Sequence, residues 1–94
     1  MLKKYSDFQK KTQYEKFDIL YMGLGLCGET GELANDIKKI KRDDKNIITK
    51  KRKEKIIYEM GDIMWYYFGI CNLLDISIEE ILEKNIQKLT LFKD

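Results

Sequence analysis

The chain has 94 residues, 44% of them apolar and 36% charged, with 18 Lys and Arg against 16 Asp and Glu and a formal net charge of +2. This length accommodates one domain over residues 1–94, not two independent cores, and no apolar run reaches the roughly 18 residues of a membrane span. The absence of His excludes His-based zinc sites, Ser-His and Cys-His nucleophile pairs and Glu-x-x-His di-iron signatures, so any metal must be held by oxygen or by two lone thiols.

No Pro occurs and strong helix formers abound, so the expected class is all-α, a four-helix bundle-like arrangement with short loops. The N-terminal Met-Leu-Lys-Lys-Tyr-Ser lacks the apolar stretch of a signal peptide, which makes the cytoplasm the expected compartment. A first helix is expected from about Tyr5 to Tyr14. A second runs from about Asp18 to Lys41, with Leu26, Leu33, Ile37 and Ile40 on one face. The polar run Asp43-Asp44-Lys45-Asn46 breaks the pattern and reads as a loop. A third helix, Lys50 to Leu74, carries an apolar stripe of Ile56, Met60, Ile63, Met64, Tyr67, Cys71 and Leu74. Ser77, followed by Glu80 three residues on, has the form of a capping box opening a fourth helix to about Leu91. Cys27 and Cys71 fall inside apolar patterns and read as buried, reduced thiols. A domain this small buries a modest share of its surface, so self-association would help it.

Two patterns carry the chemistry: Glu29-x-x-Glu32 in the second helix and Glu59-x-x-Asp62 in the third. Residues three apart on a helix lie about 60° from one another, so each pair shares one side. Both pairs border an apolar stripe, so packing the stripes together would bring all four carboxylates to one margin of the core. Asp36 extends the first row by one turn. Carboxylates gathered this way repel unless protons or a cation neutralise them, and hard oxygen ligands suit Mg²⁺, with Mn²⁺ as a substitute. Solvated helix faces with acids at common spacings are the plain alternative. Gly23, Gly25, Gly28 and Gly31 crowd the second helix and Gly61 separates Glu59 from Asp62. Each costs roughly 0.5–1 kcal/mol relative to Ala. That cost suggests either a close approach of another helix or a ligand, or a helix break near Gly23–Gly25.

Charge is unevenly spread. Residues 38–55 hold ten Lys and Arg against three acids, leaving eight and thirteen for the rest of the chain. Such a stretch can steer anionic nucleotides or bind a nucleic-acid backbone. Asp43, Asp44 and Glu54 interrupt it, however, and no base-reading motif accompanies it.

At these residues the sequence resembles the MazG-like members of the all-α NTP pyrophosphatase superfamily. The segment from Gly23 to Asp43 resembles that family's first acidic block and its basic continuation. The segment from Glu59 to Leu89 resembles its second block, its Trp-Tyr step and its last helix, and Tyr5–Lys16 resembles its leading helix. The resemblance implies Mg²⁺-dependent hydrolysis of nucleoside triphosphates to monophosphate and pyrophosphate, with Glu29, Glu32, Glu59 and Asp62 holding the metal. Glu29 or Glu32 would help a water attack the α-phosphorus. It further implies nucleotide contacts from Lys38, Lys39, Arg42, Asn85 and Lys88, and a homodimer or homotetramer. Tyr66 falls in azimuth between Glu59 and Asp62, so one or both of Tyr66 and Trp65 are candidates for base stacking, with core or dimer-interface packing the stronger alternative for Trp65. Two departures stand out: Gly28 occupies a position where many relatives carry a further acid, and the chain ends in Leu-Thr-Leu-Phe-Lys-Asp instead of an Arg-rich tail. The competing readings are a catalytically silent helical interaction protein and a nucleic-acid-binding regulatory module built on residues 38–55.

Overall fold

The computed structural model describes residues 1–93; Asp94, the end of the Leu-Thr-Leu-Phe-Lys-Asp tail, lies outside them. Four helices follow in order: α1 (Leu2–Thr12), α2 (Ile19–Arg42), α3 (Lys50–Leu74) and α4 (Ile78–Lys93). No strand occurs among the described residues, and the chain is all-α as expected. No helix among them is long and apolar enough to cross a membrane.

Short polar side chains open three of the helices by accepting a backbone N–H that has no partner inside the helix. Asp18 Oδ1 accepts from the Tyr21 amide at 2.9 Å, Thr49 Oγ1 from Arg52 at 3.1 Å, and Ser77 Oγ from Glu80 at 3.1 Å. α3 ends at Asp75, whose left-handed backbone (φ 55°, ψ 48°) lets its amide and that of Ile76 both reach the Cys71 carbonyl. α1 starts earlier than its pattern suggested, and it stops earlier because Gln13 is extended (φ −88°, ψ 132°). α2 runs unbroken through Gly23–Gly31, so the helix-break alternative does not hold.

The most extensive packing is α2 against α3, followed by α1 against α3. Met22, Ile63, Phe68 and Cys71 form the buried apolar centre, and Tyr5 meets Phe68 edge-on at 4.8 Å between ring centroids. A polar seam joins α1 to α3. The Asn72 amide donates to the Ser6 carbonyl (3.1 Å) and to Gln9 Oε1 (3.0 Å), and fully buried Gln9 donates to Gln13 (2.8 Å). Gly69 permits this seam: a Cβ there would collide with Met22 and with the Gln9 amide.

The expected stripes are only partly covered. On α3, Ile63 and Cys71 are buried, but Met60, Met64, Tyr67 and Leu74 are exposed, as is Ile37 on α2. Cys27 is exposed as well, which corrects its reading as a buried thiol. α4 packs little on the other helices and presents Ile81, Leu82, Ile86 and Leu89 to solvent. The radius of gyration, 16.0 Å, exceeds the about 12 Å of a compact domain of this length.

Candidate functional site

The α2–α3 contact carries the two acidic pairs to one place. Single carboxylate oxygens of Glu29, Glu59 and Asp62 lie within 4.8 Å of one another. Glu29 and Glu59 are half-buried while Asp62 is exposed, so the cluster has a closed back and an open front. Glu32 stands beside Glu29 on the exposed side and touches its carboxylate, but is not in this closest group.

The electrostatics are those of crowded anions. Burial, and then the neighbouring charges of Glu32 and Asp62, raise the Glu29 pKa. The pKa of Glu59 is pushed up to about 7, first by a hydrogen bond with Asp36 and then by burial and by the charges of Asp36 and Glu32. Glu29 Oε2 is buried with no hydrogen-bond partner. A buried carboxylate oxygen without a donor, facing two more carboxylates, is the arrangement a hard divalent cation satisfies. The residues present therefore fit a hard divalent cation, for which Glu29, Glu59 and Asp62 offer the ligand oxygens.

Tyr66 follows Asp62 by one turn of α3 and occupies the space above Gly25. A Cβ at Gly25 would run into its ring. Burial, Tyr21 and the charges of Glu29 and Asp62 raise the Tyr66 pKa, which places the ring beside the acids. Among the five glycines expected to mark a close approach, Gly25 alone does so; Gly23, Gly28, Gly31 and Gly61 face open space. Trp65 packs edge-on against Tyr66 at 5.1 Å, and its indole N–H donates to Thr12 Oγ1 at 2.8 Å. Its polar tip thus serves the α1–α3 junction.

The cations divide into distinct groups. Arg42 pairs in a bidentate way with Asp43, with both N–O distances 2.8 Å. Lys39 lies 3.9 Å from Asp36, while Lys38 is exposed. Asn85 and Lys88 line a groove on α4 together with Ile81 and Leu82, to which none of Glu29, Glu32, Glu59 and Asp62 contributes. Within one chain, then, α2 and α3 gather the acids, and the basic residues of α4 stand apart from them.

Sequence reasoning did not anticipate how deep Asp36 lies, or which cations hold it. Asp36 is 2% exposed, with Arg52 and Lys55 each 3.6 Å from its carboxylate. Arg52 also holds Asp44 through Nε at 2.9 Å. No periodicity announces these contacts, since Arg52 and Lys55 belong by spacing to an ordinary basic run. The pairing also draws several positive charges of residues 38–55 into the protein's own surface, which weakens the case for a nucleic-acid interface there.

The family model of the MazG nucleotide pyrophosphohydrolase domain matches residues 17–91. Among curated proteins, the chain is similar to the gene 37 protein of Mycobacterium phage L5, at 40% identity over 74 residues. The match covers 79% of this chain and 65% of that protein, so the chain spans just under two thirds of the relative's length. No solved structure gives a significant match.

Proposed function

The chain belongs to the MazG nucleotide pyrophosphohydrolase domain family, and from that premise we propose that it hydrolyses (d)NTPs at the α–β phosphoanhydride. The reaction depends on Mg²⁺, with Mn²⁺ as a substitute, and yields nucleoside monophosphate and pyrophosphate. The observation that carries this reading is the meeting of Glu29, Glu59 and Asp62 within 4.8 Å, with Glu29 Oε2 buried and unpartnered.

The chemistry supplied by a bound divalent cation is Lewis acidity toward the polyphosphate oxygens, together with neutralisation of the carboxylates. The chain's own residues do the rest. Glu29, Glu59 and Asp62 would hold the cation, and half-burial of the first two would strengthen their attraction for it. Glu29 or Glu32 accepts a proton as the water oxygen bonds to the α-phosphorus and the bond to the departing pyrophosphate breaks. Tyr66, beside the acids, offers its face to the nucleoside, and Trp65 supports it. Lys38, Lys39 and Arg42, with Asn85 and Lys88, supply the donors for phosphate or sugar.

Self-association belongs to the same proposal. The apolar residues of α4, with Met60, Met64 and Tyr67 of α3, are exposed in the single chain. A surface of that kind favours a homodimer or homotetramer. A nucleotide substrate also agrees with the cytoplasmic placement expected from the sequence.

The test is product identification. The protein is incubated with a panel of NTPs and dNTPs, with Mg²⁺ or with EDTA, and the products are separated by anion exchange. Monophosphate and pyrophosphate in equal amounts, formed only with metal, are expected. Orthophosphate and diphosphate as products, or turnover unaffected by EDTA, would overturn the assignment.

A further inference from the structure

Asp36 lies one turn beyond Glu32 on α2, facing α3, and at 2% exposure it is withdrawn from solvent. Its carboxylate meets that of Glu59. The same carboxylate has Arg52 Nη1 and Lys55 Nζ, each at 3.6 Å, and Lys39 Nζ at 3.9 Å. A buried carboxylate is costly unless paired, and these cations from two helices pair it. Arg52 is held in turn by Asp44 (2.9 Å), and its backbone N–H caps α3 through Thr49. The middle of α2, the loop after it and the first turns of α3 thus converge on this one carboxylate.

Lys55 precedes Glu59 by four residues, one turn on the same face of α3. It contacts the Asp36 carboxylate and favours the charge of Glu59. Asp36 is the group that acts most strongly on Glu59, raising its pKa. Lys55 apart, the charges acting on Glu59 are those of Asp36 and Glu32, both anions.

We propose that Asp36 is a positioning residue for the acid cluster: by gathering Arg52, Lys55 and Lys39 behind Glu59, it holds the Glu59 side chain toward Glu29 and Asp62. Asp36 acts through Glu59 and its cations, and touches neither nucleotide nor cation itself. The inference rests on the reading of Glu29, Glu59 and Asp62 as a divalent-cation site.

Positioning and simple charge effects predict opposite signs at Lys55. Removing a positive charge near a cation site strengthens cation binding through space. Removing a member of the cluster that holds Glu59 weakens it. The experiment is Mn²⁺ titration of wild type, D36N and K55M, with free Mn²⁺ followed by electron paramagnetic resonance and helicity by circular dichroism. Outer partners of metal ligands typically contribute 10- to 100-fold in affinity, so D36N should bind Mn²⁺ at least about tenfold more weakly. K55M should lose at least about threefold, a smaller effect because Arg52 and Lys39 remain. Unchanged binding in D36N, or equal or tighter binding in K55M, overturns the proposal. Lys55 is 57% exposed, so K55M tests the idea even if D36N does not fold. Wild type that binds no Mn²⁺ would instead remove the cation-site reading on which the inference rests.

Discussion

The Tyr66 ring occupies the space that a side chain at position 25 would take, so Gly25 and Tyr66 form a matched pair across the α2–α3 contact. Through that pair the helices come close enough for Glu29, one turn past Gly25, to meet Glu59 and Asp62.

Gly25→Ala should therefore destabilise the protein, even though Ala favours a helix by about 0.8–1 kcal/mol over Gly. Overpacking typically costs about 1–3 kcal/mol, leaving a net loss of roughly 1 kcal/mol. Gly31→Ala, where a Cβ meets open space, should gain up to about 1 kcal/mol. Urea unfolding of both variants checks the contrast, and Tyr66→Ala should relieve the Gly25→Ala defect.

The two adjacent aromatics should separate by readout. Tyr66→Ala should raise the KM for nucleotide about three- to tenfold, the size of a lost aromatic contact. Trp65→Phe should lower stability by about 0.5–1 kcal/mol, because it removes the bond to Thr12. Its KM should stay near that of wild type. Steady-state kinetics beside thermal melts distinguish the two.

The crowded acids should make stability depend on pH in a definite direction. Glu59 holds its proton up to about pH 7 in the folded protein, whereas an unperturbed Glu loses it near about pH 4.3. Its contribution is thus full below the unfolded value and lost as pH rises through about 7. Glu29 is raised too and acts in the same sense. Asp36 is lowered, so it is ionised in both states across this window and adds no slope there. The melting temperature of metal-free protein should fall between pH 5 and pH 8, and Glu59→Gln should flatten the fall. Mn²⁺ affinity should rise with pH over the same range, by up to about tenfold per unit where one proton is displaced.

Much of this was legible beforehand. The helix spans follow from Ser77 as a cap, from the polar break at Asp43–Asn46 and from the 3.6-residue stripes, all of which are local; the caps at Asp18 and Thr49 emerge only in the structure. The acidic pairs were visible because i,i+3 spacing on two amphipathic helices restricts where the side chains emerge. What stayed hidden depends on contacts across the chain. Gly25 looks like Gly23 or Gly28 until Tyr66 is placed against it, and Gln9 looks like a surface residue until Asn72 meets it. Likewise, Arg52 and Lys55 belong by composition to a solvated basic run, and only the α2–α3 packing aims them at Asp36. The exposure of Met60, Met64 and Tyr67 was equally unreadable, since a stripe does not say whether its own chain will cover it.

The central claim is that Glu29, Glu59 and Asp62 together hold a divalent cation. Its most direct test is Mn²⁺ binding at pH 8, measured by electron paramagnetic resonance on wild type and Glu59→Gln, with circular dichroism confirming that both are helical. Wild type should bind saturably, and the variant should bind at least about 100-fold more weakly, beyond the usual effect of an outer partner. Equal binding by the two proteins would contradict the account.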